Sequence, residues 1–141
     1  MRKAVGYTLA AAVFAAASAS FAVNAAEPNP EVKALIDSYK KEAGAQSFSA
    51  DEGKRFFNSK RTHSGNKEER SCTTCHTADP RQPGKTRVGK AIEPMAPSVN
   101  KQRFTDPKKI EKWFKRNCTW VLERECTPKE KGDYITYMMS L

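Results

Sequence analysis

Ser71-Cys72-Thr73-Thr74-Cys75-His76 is the stretch on which the reading of this 141-residue chain turns. Cys72 to His76 spells C-x-x-C-H, the attachment signature of c-type haem. The spacing has a physical reason. Two thiols placed this way can each add to a vinyl group on one side of a porphyrin. The histidine directly after the second thiol is then delivered to the iron from one face. Covalent attachment also retains the cofactor in a domain too small to bury it completely. Two other chemistries use the same letters. C-x-x-C serves as a redox dithiol, or as half of a zinc site that Cys118, Cys126 or His63 would complete. The dithiol reading lacks a βαβ pattern. The zinc reading lacks a second close pair, because Cys118 and Cys126 stand eight positions apart.

Outward from the motif, the apolar residues recur with helical period. Asn29 caps a first helix with Pro30 at its first position, where the missing N–H costs nothing. Val32, Leu35, Ile36 and Tyr39 follow on one face, and Gly44 ends the helix. A second, short helix opens at Ser49 with Glu52 as its capping-box partner, and carries Gly53, Phe56 and Phe57. Residues 58–71 are polar and charged and read as a surface loop. Residues 77–103 hold Pro80, Pro83, Pro94, Pro97, Gly84 and Gly89, which forbid a long helix there. So irregular a segment needs something to lie against. Asp106 and Pro107 open a third helix with Ile110, Trp113, Phe114 and Asn117 on one face. Thr127, Pro128 and Glu130 open a fourth, with Tyr134, Ile135, Met138 and Leu141 as its apolar positions. No strand pair is evident, so the expected class is all-α.

The chain begins with Arg2 and Lys3, an Ala-rich apolar run from Ala4 to Val23, and Asn24-Ala25-Ala26 before Glu27. That order reads as a signal peptide over residues 1–26, with one domain over residues 27–141 and a periplasmic destination. An uncleaved anchor is the alternative, since the run is long enough to span a bilayer. Removing residues 1–26 takes two of the 25 cations and none of the 16 acids, which leaves 115 residues with a formal charge of +7. In the oxidising compartment implied by export, the two remaining cysteines, Cys118 and Cys126, are expected to pair. Closing so short a loop is worth about 2.5 kcal/mol in the chain-entropy estimate. A mean hydropathy of −0.72 and the lack of a second apolar run exclude a multi-span membrane protein.

If His76 takes one axial position of the iron, the sixth ligand decides the function. Met95, in Glu93-Pro94-Met95-Ala96-Pro97, sits in the kind of loop that supplies the methionine of an ordinary electron-transfer cytochrome. Met138 and Met139 lie on the last helix and read as core or surface. His63 is a lone histidine in a charged loop. Asn117 shares a helix face with Ile110, Trp113 and Phe114, and a polar amide on such a face needs a partner. Ferric iron would serve, and so would a helix cap.

Further residues carry a resemblance. Ser71 to His76, Thr86-Arg87 with Gly89-Lys90, Ala96-Pro97-Ser98, Arg103-Phe104-Thr105-Asp106, Glu111-Lys112-Trp113, Arg116-Asn117-Cys118 and Cys126-Thr127-Pro128 with Glu130-Lys131 together closely resemble the sphaeroides haem protein family. The likeness covers most of residues 27–141, is strongest from Ser71 to Lys131 and is weak before Glu52. It implies a class I cytochrome c-like fold around one haem c held by Cys72, Cys75 and His76. It also implies Asn117 as the distal ligand beside a Cys118–Cys126 disulfide. In that family the asparagine leaves the iron on reduction and opens a site for oxygen, nitric oxide and similar molecules. A dihaem cytochrome c is the electron donor linked to the family. Met95, a competing sulfur, and Trp120, a bulky residue inside the disulfide loop, stand out against that pattern.

Residues 81–116 hold eleven Lys and Arg against three Asp and Glu. Such a face suits an acidic redox partner, and two haem propionates, with Arg87 or Lys90 as partners, would offset part of the charge. Nucleic acid fits poorly with an exported protein, and a cleaved leader leaves no stable membrane insertion. The leading expectation is thus a ligand-binding electron carrier. Its rivals are a plain His76/Met95 shuttle and a haem enzyme that reduces an oxygen or nitrogen species.

Overall fold

The computed structural model describes residues 26–141, so the expected signal segment lies outside them except for Ala26. Four helices carry the fold: α1, Pro30–Ala43; α2, Ala50–Asn58; α3, Pro107–Leu122; and α4, Pro128–Met139. Each starts at the expected cap. Asn29, Ser49, Asp106 and Thr127 all accept backbone N–H groups of the first turn, a contribution of about 1 kcal/mol per cap. Gly44 closes α1 in the left-handed region, at φ 61°. The capping box at Thr127 and Glu130 is complete. At Ser49 only half of the expected box forms. The Glu52 carboxylate turns to Arg55, and the Ser49 N–H donates instead to Asp133 Oδ1 of α4 at 2.8 Å.

That long-range bond belongs to the central packing of the molecule, the crossing of α2 on α4. Gly53 of α2 lies so close to the Asp133 carbonyl and the Tyr137 side chain that no Cβ fits. Gly132 of α4 is covered in the same way by the Phe48 ring. Two helices that meet through glycine bring their axes close and bury their large neighbours. Phe57, Ile135, Met138 and Val32 are fully buried there. Met138 and Met139, left open between core and surface by the sequence, are therefore core residues.

The all-α class holds, with two additions that the sequence pattern does not reveal. Arg61–Thr62 (β1) pairs antiparallel with Glu69–Arg70 (β2), and Gly84–Lys85 (β3) with Ala91–Ile92 (β4). Each strand is two residues long, too short to show an alternating period. These hairpins give order to the loop of residues 58–71 and to part of the proline-rich segment.

Two cross-links tie the outer helices. Cys118 in α3 is bonded to Cys126, the residue before the α4 cap, with their Cα atoms 5.5 Å apart. Glu111 joins three helices at one carboxylate. It accepts from Tyr39 of α1 and, at 2.8 Å, from Lys131 of α4. Partial burial pushes the Glu111 carboxyl up, but the Lys131 and Tyr39 hydrogen bonds outweigh it and hold the group below the usual range. Burial, followed by the Glu111 bond, pushes the Tyr39 hydroxyl up, so it stays a donor.

Two expectations follow. A carboxyl depressed in the folded state adds stability above its unfolded pKa, about 4.3, and that stability disappears as pH falls through the folded value. Thermal melts of Glu111→Gln should be lower than those of the parent at pH 7, and the two proteins should converge on acidification below about pH 4. Replacing Cys118 and Cys126 by Ser should cost about 2.5 kcal/mol in denaturant melts, with covalent haem content unchanged.

Candidate haem site

Cys72, Thr73 and Thr74 form a single 3-10 turn that Ser71 prepares. The Ser71 N–H donates to Thr74 Oγ1 at 3.0 Å, and the Cys72 carbonyl accepts from His76 N–H at 3.0 Å. One turn thus puts two sulfurs and one imidazole on the wall of one cavity. The turn is held from behind. The Cys75 carbonyl accepts from Lys85 N–H at 2.8 Å, and Gly84 packs against that carbonyl with no room for a Cβ. Phe57 of α2 lies beside His76, with ring centroids 6.4 Å apart.

The cavity measures about 1000 Å³, at the top of the range for small-molecule sites. Cys72, Cys75 and His76 form one part of its lining, and Ile110, Trp113, Phe114 and Asn117 of α3 form another. The α3 face divides its work. Ile110 and Phe114 are buried, Phe114 edge-on to Tyr134 at 5.4 Å, while Trp113 and Asn117 remain open on the cavity side. The Asn117 amide makes no hydrogen bond among the described residues, so it is not spent as a helix cap. Glu123 caps α3 instead, with φ 56°.

Protonation suits the motif to iron. Burial, and then the positive charge of Arg103, pushes His76 down to about 4, which leaves it neutral at ordinary pH, as a metal-binding imidazole must be. Burial pushes the Cys72 thiol up to about 12. A largely apolar cavity that offers two thiols and a neutral imidazole from one turn fits a c-type haem. It does not fit zinc. Cys118 and Cys126 are bonded to each other, and among the described residues no group of three or more His, Cys, Asp or Glu could hold a metal ion.

The other expected ligands are placed as follows. Met95 is half-buried on the cavity wall, where the Pro80 carbonyl holds its backbone N–H at 2.8 Å. Met138 and Met139 do not line the cavity. His63 does, but both ring nitrogens are occupied. Nδ1 accepts from Gly65 N–H at 3.2 Å, and Nε2 lies 3.3 Å from Glu123 Oε1. Arg87 already has a carboxylate partner, Glu68, at 3.2 Å.

Sequence reasoning missed the setting of Trp120. The Arg70 guanidinium lies 4.7 Å from the indole centroid and donates to the Trp120 carbonyl at 3.1 Å. Arg87 lies 5.9 Å from the same ring, and Glu68 pairs with both arginines. Trp120 is therefore a fixed part of the cavity wall. Nothing in residues 68–70 signals a partner fifty positions away.

With this geometry in hand, comparison with known proteins is informative. A family model described as a domain of unknown function, DUF1924, matches residues 43–138. The chain is 46% identical over 104 residues to cytochrome c-type protein SHP of Cereibacter sphaeroides, covering 74% of this chain and 79% of that protein. It is 45% identical over 91 residues to cytochrome c'' of Methylophilus methylotrophus, covering 63% of this chain and 62% of that protein. The structure of oxidized SHP, described as an oxygen binding cytochrome c, superimposes with a TM-score of 0.68 at 42% identity, over 76% of this chain and 94% of that one. Oxidized cytochrome c'' from Methylophilus methylotrophus gives the same TM-score at 37% identity, over 76% of this chain and 91% of that one. A chain with this motif turn, this cavity and these relatives belongs to the sphaeroides haem protein family and is a c-type cytochrome with one covalently bound haem c.

Proposed function

We propose that this cytochrome is exported to the periplasm, carries electrons, and binds a small diatomic molecule at its iron when Asn117 lets go on reduction. In this reading Cys72 and Cys75 hold the haem by thioether bonds, His76 is the proximal ligand, and Asn117 gives its amide oxygen to the distal side. The observation that carries the proposal is the Asn117 amide. It has no hydrogen-bond partner among the described residues and lines the same cavity as the C-x-x-C-H turn. Two relatives add support. One is described as oxygen binding, and a solution structure of the other, cytochrome c'' of Methylophilus methylotrophus, concerns haem-ligand detachment.

When bound, the haem supplies a one-electron couple and an iron with two axial positions. An amide oxygen is a hard donor, which suits ferric iron better than ferrous. It lacks the thioether's preference for the reduced metal, so the potential should lie below that of a His/Met cytochrome. The released Asn117 side chain still has its NH₂ group, which can donate to an incoming ligand. The basic stretch of residues 81–116 supports docking of an acidic redox partner, with a dihaem cytochrome c as the proposed donor. A second reading rests on Met95, which lines the same cavity. A His76/Met95 pair would make the protein a plain electron shuttle.

Two experiments test these assignments. Mass spectrometry of the exported protein should show one haem more than the polypeptide mass, and the Cys72→Ala, Cys75→Ala double variant should lack it. A parent mass without haem would overturn the attachment. The second experiment compares ferric and ferrous optical spectra, with and without carbon monoxide. Asn117→Ala should change the ferric spectrum and admit external anions more readily, while Met95→Leu leaves that spectrum nearly unchanged. The reverse pattern would replace the ligand switch by the plain shuttle.

A further inference from the structure

Two hairpins meet over one side of the cavity, and a single carboxylate joins them. Glu68, the residue before β2, receives Arg70 Nε and Nη2 at one oxygen, both at 3.1 Å. Its other oxygen pairs with Arg87 Nη2 at 3.2 Å. Arg87 belongs to the turn of the β3–β4 hairpin, which the Gly89 N–H closes by donating to the Thr86 carbonyl at 2.9 Å. Thr86 and Lys90, at the two ends of that turn, line the cavity, and so does Trp120. Both guanidiniums lie over the Trp120 indole, Arg70 at 4.7 Å and Arg87 at 5.9 Å from its centroid. The ion pair therefore bridges the hairpins across the wall that Trp120 forms. Trp120 in turn stands one turn of α3 beyond Asn117.

The two arginines are held differently. Arg70 is buried, and its Nη1 donates to the Trp120 carbonyl at 3.1 Å, so Arg70, Glu68 and Trp120 form one fixed post. Hydrogen bonds from Asn66, and then from Arg70, hold the Glu68 carboxyl below the usual carboxylate range, which keeps it ionised at ordinary pH. The Arg87 side chain is 57% exposed, within reach of water and salt. An exposed ion pair of this kind contributes little and breaks readily. Arg87 is thus the arm that moves, on a post that does not.

We propose that Arg87, latched to Glu68 over Trp120, is a specificity-determining residue: it closes the side of the cavity next to Asn117 and sets the size of the molecule that reaches the iron. The inference rests on the proposed binding of small ligands on the Asn117 side. A diatomic passes the closed latch. A longer ligand waits for the ion pair to open and for Arg87 to swing toward water. A barrier of this kind slows entry and exit alike, so it selects ligands by rate and leaves their affinity nearly unchanged.

The test uses full-length exported protein in which mass spectrometry shows covalent haem. The reduced protein is mixed with carbon monoxide or n-butyl isocyanide, two neutral ligands that bind ferrous iron through carbon. Stopped-flow absorbance gives association and dissociation rates for the parent, Arg87→Gln and Arg87→Lys. Arg87→Gln should speed n-butyl isocyanide about fivefold in both directions, the upper range for an exposed ion pair, and leave its affinity and the carbon monoxide rates within a factor of about two. Arg87→Lys keeps a charge opposite Glu68 and should restore most of the parent's slow entry. Added salt should speed the isocyanide into the parent but not into Arg87→Gln, because neither ligand is charged and only the ion pair is screened. A ferrous parent that binds neither ligand would overturn the ligand-binding reading and this inference together. Three results would overturn this inference alone, with carbon monoxide still bound: isocyanide entering Arg87→Gln at the parent's rate, both ligands accelerated equally, or dissociation accelerated without association.

Discussion

A single turn of backbone between Cys72 and His76 has to present two sulfurs and one imidazole to the same cavity, and the rest of the molecule is arranged to hold that turn still. A 3-10 turn of three residues has almost no stability of its own. Here it is supported on three sides. The Ser71 N–H donates to Thr74 Oγ1 and the Ser71 carbonyl accepts from the Thr74 N–H, Lys85 and Gly84 grip the Cys75 carbonyl, and Phe57 lies beside the histidine ring. Phe57 is in place because α2 and α4 cross through Gly53. The grip of Gly84 gives the short β3–β4 hairpin its purpose. The proline-rich segment, which has no helix to shield its backbone, lies against the cavity through Met95, Arg103 and Phe104. A small domain that cannot fill its centre with side chains is thus organised around a flat apolar group, which the covalent bonds keep in place.

Some polar groups of the cavity wall are satisfied within the chain and belong to the scaffold. His63 and Arg70 line the cavity, and each is satisfied by another residue of the chain, Glu123 and Glu68. Asn117 lines the same cavity and has no hydrogen-bond partner among the described residues. In the sequence Arg87 is one cation of a basic stretch, and in the structure it is paired with Glu68.

That distinction also marks what could be read beforehand. Helix starts at Asn29, Asp106 and Thr127 were legible, because a cap is a local arrangement of three or four residues. The haem motif was legible for the same reason. The Cys118–Cys126 bond followed from counting cysteines. The half-made box at Ser49 was not legible, since its N–H is taken by Asp133, 84 positions away. The Trp120 setting likewise joins residues with no shared pattern. The choice between Asn117 and Met95 lay beyond the sequence pattern for another reason. Helical period places Asn117 on a face, and loop composition places Met95 in a loop, but both line the cavity and neither pattern ranks them.

The construction of α3 bears on the ligand exchange proposed for Asn117. A helix that moved to release the iron would have to drag Ile110 and Phe114 out of the protein core. It would also strain the Cys118–Cys126 bond, and it would pull Trp120 away from Arg70, whose guanidinium holds the Trp120 carbonyl at 3.1 Å. Each restraint lies within one turn or two of Asn117, and none touches its side chain. In the proposed exchange the backbone of α3 would therefore be the rigid partner, and the amide the mobile one. Rotation about two side-chain bonds suffices to withdraw the oxygen, and a rotamer change costs far less than repacking a core. On this construction the exchange is a local event. In that proposal the fold would not need to open for a ligand to enter, and the amide would stay close enough to return when the iron is oxidised.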